Sequence, residues 1–247
     1  MKVGEAGQAA APEGRSLLGY EPDDTYLKAI LRTLDSFCPA TQDRRPRIAD
    51  LGCGVGTYSF AFADAGYDVT GIEGRSSNID KAKATATERR PPNPRFEQDD
   101  VRNVSRYGSF DAVFAAGILY HLDRPVEFLR LLGSVTRLLI LQTHFAAPQG
   151  AAVDARYLSE PAWNEDRLGR WFREWSPEET PEQVEARPWA SIGNPRSFWL
   201  DKKHLLEAIR QAGFDSVYEQ YDFLDDIVEN DYIERNSRSL FIGAKAR

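Results

Sequence analysis

Seven residues, Asp50-Leu51-Gly52-Cys53-Gly54-Val55-Gly56, close an apolar run that begins at Arg47. Glycine-rich turns after a first strand bind dinucleotides or nucleosides, because only glycine lets the backbone come so close to the ligand. The nicotinamide fingerprint places its third glycine where this chain has Thr57. The G-x-G-x-G spacing therefore argues against a nicotinamide oxidoreductase. Two histidines, His121 and His144, fall where the fourth and fifth apolar runs end. Ligands of open α/β sheets sit at the carboxyl ends of the strands, so both are expected beside the ligand. Imidazole titrates near neutrality, which makes each a candidate catalytic base. The alternative for each is a plain hydrogen bond to the loop or the cofactor, and the strand end that places His144 is less well fixed than that of His121. Tyr120 is expected to line the same pocket. His204 opens a helix and is expected at the surface. Two histidines with Asp154 or Glu160 match no metal-ligand spacing, so no metal site is expected.

The stretch Ala49 to Gly56 resembles the first motif of class I S-adenosylmethionine methyltransferases. In that family the loop packs against the methionine part of the cofactor. The resemblance implies S-adenosylmethionine as cofactor, with Asp50, Gly52, Gly54 and Gly56 in the loop that holds it. Glu73 ends Val69-Thr70-Gly71-Ile72-Glu73, where a carboxylate can accept both ribose hydroxyl protons. Asp99-Asp100-Val101 stands where the family uses an acid for the adenine amino group and the next backbone N–H for the ring. Asp100 with Val101 is preferred, and Asp99 competes, since a shift of one residue reverses which side chain faces the ligand. Phe110-Asp111-Ala112-Val113 through Gly117-Ile118-Leu119-Tyr120-His121 resembles the fourth-strand motif and brings Gly117 to the cofactor. The Gly-Ile-Leu-Tyr-His ending is most similar to relatives of the wobble-uridine tRNA methyltransferase group, as is Ser197-Phe198-Trp199-Leu200. The resemblance covers roughly Arg47 to Thr143 and implies a fold and a cofactor. Those enzymes act on tRNA, whereas this chain is acidic, so their substrate is not carried over.

The elements that must position these residues alternate. Asp23 to Phe37 reads as a helix, with Tyr26, Leu27, Ile30, Leu31 and Leu34 on one side and Asp23 or Asp24 as its cap. Strands are expected over 47–52, 68–73, 94–99, 110–116 and 137–143. Helices are expected over 56–65, 76–88 (capped by Ser76 or Ser77) and 125–132. This rhythm implies an α/β, Rossmann-like fold with a seven-stranded, mostly parallel sheet and helices on both faces. It resumes with a helix over 200–212, closed by Gly213, and β-rich stretches over 215–223 and 239–245, with an acidic stretch at 224–234 between them. The expected organisation is a disordered tail over 1–15, a core over 16–145, an insertion over 146–196 after the fifth strand, and the rest of the core over 197–247.

The insertion bears most on substrate. It carries Trp163, Trp171, Trp175 and Trp189 among several arginines. The favoured reading is a lid whose flat apolar walls bind the acceptor. Trp171 and Trp175 are one helical turn apart, which equally suits a helical subdomain with its own small core. Arginine interleaved with aromatics also suits nucleobase stacking. The net charge of −7 opposes that, because phosphate backbones demand basic surface. Cys38 and Cys53 are too few for a disulfide framework and read as reduced, which fits the cytoplasm. No apolar run is long enough to span a bilayer. The expected function is methyl transfer to oxygen or nitrogen of a small-molecule acceptor. An RNA-modifying enzyme and a non-enzymatic S-adenosylmethionine binder are the alternatives. A homodimer is compatible with the sequence, which does not fix the oligomeric state.

Overall fold

The computed structural model describes residues 25–146, 157–176, 178–187, 190–223 and 237–246. The expected tail over 1–15, the cap candidates Asp23 and Asp24, the acidic stretch over 224–234, and Trp189 lie outside the described residues. In chain order the first part runs α1 (Thr25–Phe37), β1 (Arg47–Leu51), α2 (Thr57–Asp64), β2 (Asp68–Glu73), α3 (Ser76–Glu88), β3 (Arg95–Gln98), β4 (Phe110–Ala116), α4 (Pro125–Val135) and β5 (Thr136–His144). Short 3₁₀ turns, Val101–Tyr107 and Leu119–His121, flank β4. Then come β6 (Leu158–Asn164), β7 (Arg167–Arg173), α5 (Pro181–Glu185), β8 (Arg196–Leu200), α6 (Lys202–Gln211), β9 (Ser216–Gln220) and β10 (Arg238–Ala244).

Seven strands form one sheet in the order β3-β2-β1-β4-β5-β10-β9. Strands β1 to β5 pair in parallel, and β10 runs antiparallel to both β5 and β9. The strand order reverses between β1 and β4. That is the switch point where open α/β sheets bind ligands. Both faces are buried, which explains why the central strands read as nearly continuous apolar runs. Ile48, Phe114, Ile140 and Ile242 pack against α1 and α2 on one face. Leu51, Val113, Leu139 and Phe241 face α4 and α6 on the other. Helix α1 buries Tyr26, Leu27, Ile30 and Leu34, four of the five residues its spacing singled out, and Leu31 is half-buried. Full burial of each such side chain contributes roughly 1.5–3 kcal/mol.

Three corrections concern local structure. Helix α3 is capped by Arg75 rather than by Ser76 or Ser77. The Arg75 carbonyl already accepts from the N–H groups of Asn78 and Ile79, so the helix begins one residue early and both serines lie inside it. The insertion is not a helical subdomain, because β6, β7 and β8 form a separate antiparallel sheet that continues to Leu200. Trp171 sits within β7, and Trp175 follows its end. His204 is half-buried rather than fully exposed, with its side chain 19% exposed and meeting Trp163 edge-on. The accessory sheet is anchored at its β6–β7 turn. There the Glu165 carboxylate accepts the backbone N–H groups of Val126 and Glu127, both at 2.9 Å, and so caps α4. Among the described residues, no helix is long and apolar enough to cross a membrane.

Candidate active site

The glycine loop follows β1 at the switch point. Gly52, Gly54 and Gly56 all have positive φ, at 69°, 54° and 89°, which glycine adopts without strain. A Cβ on Gly52 would lie 2.8 Å from Ile118, and one on Gly56 would lie 2.6 Å from Phe96. The loop is therefore pressed against the residues after β4 and on β3, with no room for side chains. Asp50 is 2% exposed and points away from the loop's open side, where its carboxylate accepts from Ser59 on α2 at 2.5 Å. Glu73 ends β2. Its Oε2 accepts from the Gly54 N–H at 3.0 Å, and its Oε1 accepts from the Arg75 N–H at 2.8 Å.

Asp99 and Asp100 follow β3. Asp99 accepts from Asn103 at 2.7 Å, from the Tyr107 hydroxyl at 2.9 Å and from the Asp100 N–H at 2.8 Å. The Asn103 hydrogen bond leads the effects that hold its carboxyl below the usual carboxylate range. Asp100 caps the 3₁₀ turn and is gripped through both oxygens by Arg102. Burial pushes its carboxyl up, but the Arg102 contacts outweigh burial and hold it below its ordinary value. Val101 is buried beneath them. Gly117, with φ at 77°, turns the chain out of β4 and donates its N–H to the Gln142 carbonyl at 3.0 Å.

A second cluster of side chains, where the sequence reading expects the acceptor, lies beyond Gly117. The Tyr120 hydroxyl would be 3.5 Å from a Cβ on Gly117, so this tyrosine borders the loop region. Its ring meets His121 at 4.3 Å and His144 at 4.6 Å between centroids. His144 stacks on Trp199 at 4.8 Å, with 12° between the planes. Trp199 in turn stacks on Phe172, also at 4.8 Å. The indole N–H of Trp199 donates to the Tyr120 carbonyl at 2.9 Å. A column of three rings thus ties the accessory sheet to the ends of β4 and β5. His121 Nδ1 lies 2.9 Å from the Glu174 carboxylate, while Nε2 makes no hydrogen bond among the described residues. Both expected histidines converge here with Tyr120. Phe172, an aromatic of the insertion, joins them, and Glu174 and Trp199 complete the group without having been expected from sequence. No spacing links Glu174 to His121, because they meet only when the accessory sheet docks.

The expected acceptor-binding tryptophans do not share one wall. Trp171 packs edge-on against Phe198 at 5.0 Å and lies beneath the Arg196 guanidinium. Trp175 donates its indole N–H to the Ser191 carbonyl. Both line a cleft of about 430 Å³ on the accessory sheet, with Tyr157, Phe172 and Arg173. Trp163 is 68% exposed and turned to His204, outside the ring column.

Residues 48–139 match the family model described as a methyltransferase domain. The match covers less than half of the chain. Proteins of that family use S-adenosylmethionine. Among curated relatives, the 23S rRNA (uracil(1939)-C(5))-methyltransferase of Thiobacillus denitrificans is 41% identical over 94 residues, which is 36% of this chain and 22% of that protein. The ubiquinone biosynthesis O-methyltransferase of Albidiferax ferrireducens is 28% identical over 109 residues, covering 43% and 42% of the two chains. The chain spans less than half the length of the curated relatives it matches. Among solved structures, the N-terminal domain of EvdMO1 with SAH bound is 23% identical, with a TM-score of 0.66 over 91% of this chain and 82% of that one. That likeness shows a shared fold.

The residues around the glycine loop fit S-adenosylmethionine, the cofactor that the loop's resemblance implies. The loop glycines leave a cradle that a Cβ would disturb. Each Glu73 oxygen takes one backbone donor and keeps a second lone pair for a ribose hydroxyl. Arg75, next to it, is 5% exposed and reaches across to the accessory segment. Its guanidinium donates to the carbonyls of Glu185, Arg187 and Ala190 at 2.7–2.8 Å. Ile192 then crosses Gly74, with its Cδ1 3.0 Å from where a Cβ would stand. Arg75→Met is expected to leave three carbonyls without donors, each costing roughly 1–3 kcal/mol where still buried. Hydrogen exchange should rise over 183–192 while β1, β4 and β5 stay protected. Uniform loss of protection would show that Arg75 supports the core instead.

Asp50 gives the fold a pH signature. Burial pushes its carboxyl up to about 7, against the lowering effect of the Ser59 hydrogen bond. The folded state therefore binds this proton more tightly than the unfolded chain between pH 3.8 and about 7. Stability contributed at this site falls as pH rises through that window and is level above it. Asp50→Asn removes the titration and keeps an acceptor for Ser59. Its Tm relative to wild type is expected to climb from pH 4 to pH 7. Parallel Tm curves would refute the assignment.

Proposed function

We propose that the chain is an S-adenosylmethionine-dependent methyltransferase that acts on oxygen or nitrogen of a small-molecule acceptor. The observation that carries this reading is the ring-walled acceptor side beside the cofactor loop. Tyr120 and His144 supply flat faces, Trp199 backs His144 from behind, and His121 offers a nitrogen with no partner among the described residues. Such walls with few polar groups suit a small acceptor. The net charge of −7 opposes binding along a phosphate backbone. Bound S-adenosylmethionine supplies an electrophilic methyl group whose sulfur leaves with the bonding pair. Glu73 and the loop hold that cofactor, Tyr120 and His144 orient the acceptor, and His121 takes its proton.

A second reading is RNA modification. It is favoured by the rRNA methyltransferase relatives and by the Gly117–His121 ending, which resembles the wobble-uridine tRNA group. Supplying methyl-tritiated S-adenosylmethionine with a small-molecule extract in one vessel, and with tRNA and rRNA in another, separates the two. Label is expected in the small-molecule fraction. Label in RNA, with binding that weakens as salt rises, would transfer the assignment to RNA. Cofactor binding with no label in either vessel would indicate a binder without turnover.

A further inference from the structure

Glu174 follows β7 and is the most enclosed acid near the acceptor side, with its side chain 1% exposed. Four contacts converge on its carboxylate. Ser197 donates its hydroxyl to Oε1 at 2.6 Å, and Ser191 donates its N–H to Oε2 at 3.0 Å. His121 Nδ1 lies 2.9 Å from Oε1 and 3.1 Å from Oε2. The His121 main chain is also held, because its carbonyl accepts from Asn194 at 3.0 Å. A carboxylate only accepts. Its remaining partner, Nδ1, must therefore donate, and in the neutral ring the lone pair then lies on Nε2. The ring is 17% exposed, and Nε2 makes no hydrogen bond among the described residues.

We propose that Glu174 is a positioning residue that fixes His121 in the Nδ1–H form, so that Nε2 serves as base for a hydroxyl acceptor. This rests on the methyltransferase reading above. A neutral amine attacks with its own lone pair and needs no base beforehand, whereas a hydroxyl must shed its proton as the oxygen takes the methyl group. The new bond is O–CH₃, the broken bonds are S–CH₃ and O–H, the S–CH₃ pair stays on sulfur, and the proton ends on Nε2. The accessory sheet and its following segment supply the acid and both of its other donors. The base is therefore complete only with that unit docked.

The chain's three histidines, His121, His144 and His204, make the test direct. Full-length protein labelled with ¹⁵N-histidine is compared with His121→Asn to assign the ring signals. Wild type is expected to show a proton on His121 Nδ1 and none on Nε2. In Glu174→Gln the Ser191 N–H, which can only donate, holds the amide oxygen at the Oε2 position, so the NH₂ takes the Oε1 position nearer Nδ1, where the Ser197 hydroxyl can turn to accept, and the ring proton is expected to move to Nε2. Transfer should then fall about 10²-fold or more, while S-adenosylhomocysteine affinity by calorimetry stays unchanged. A wild-type Nε2–H form overturns the proposal without any variant, as does an unmoved proton in folded Glu174→Gln. The carbon shift of a ¹³C-methyl group carried to product reads the acceptor class. An O-methyl signal supports a hydroxyl, and an N- or C-methyl signal overturns it. Absence of S-adenosylhomocysteine binding would instead sink the methyltransferase reading and leave the tautomer result standing.

Discussion

Glu73→Ala is expected to weaken S-adenosylmethionine binding at least tenfold. The carboxylate has two tasks. It fastens the loop through the Gly54 N–H and the turn into α3 through the Arg75 N–H. It also keeps a free lone pair on each oxygen for the ribose hydroxyls. Alanine removes both tasks together. A hydrogen bond to a charged group contributes about 1.5–3 kcal/mol, and tenfold in affinity is about 1.4 kcal/mol, so losing one ribose contact suffices. The loop suffers separately, because the Gly54 and Arg75 N–H groups lose their acceptor. Glu73→Gln separates shape from charge. Its NH₂ must face one of the two N–H groups, so most of the loss is expected to remain. Calorimetric titration with S-adenosylhomocysteine checks both variants, and unchanged affinity in Glu73→Ala would overturn the ribose assignment.

Gly169→Ala is expected to damage the acceptor half and spare the cofactor half. Gly169 sits in the middle of the accessory sheet, opposite Ala162 on β6 and Leu200 on β8. A Cβ there would stand 2.2 Å from the Trp199 carbonyl oxygen and 2.6 Å from the Phe198 ring. The nearest obstacle is backbone, so β8 must move away from β7. Overpacking of this kind costs typically 1–3 kcal/mol, and the upper end applies where main chain blocks relief. The displaced strand carries Trp199, whose indole bridges His144 and Phe172, and Ser197, which holds Glu174. Methyl transfer is therefore expected to fall by at least tenfold while S-adenosylhomocysteine affinity changes less than about threefold, since 1.4 kcal/mol corresponds to tenfold. A matching fall in cofactor affinity would show that the two halves are one cooperative unit.

The core was legible in the sequence because its strands are buried on both faces. Ile48, Phe114 and Ile140 point one way while Leu51, Val113 and Leu139 point the other, so composition alone marks the strands. The loop was legible because close approach demands glycine at fixed spacing. The accessory sheet was hidden for the opposite reason. Strand β6 is half exposed and interrupted by Pro161 and a register shift. Its partner places Trp171 one helical turn from Trp175, a spacing that a strand and the coil after it can also produce. The turn between β6 and β7 uses Glu165 and Asp166 at φ of 50° and 58°, without the glycine that would have announced a hairpin. Glu174 had no local signal, since its partners at positions 121, 191 and 197 come from separate segments.

The latch from Arg75 grips the accessory segment by its main-chain carbonyls at Glu185, Arg187 and Ala190. Every residue type except a backbone-distorting one offers the same carbonyl. Apart from Glu185, whose carboxylate also meets Arg75 at 3.4 Å, side chains along this stretch can change under selection without touching these three carbonyl bonds. The architecture separates inheritance of the donor from exploration of the acceptor: a descendant can change what it methylates by editing the segment Arg75 holds, and keep the arginine that holds it.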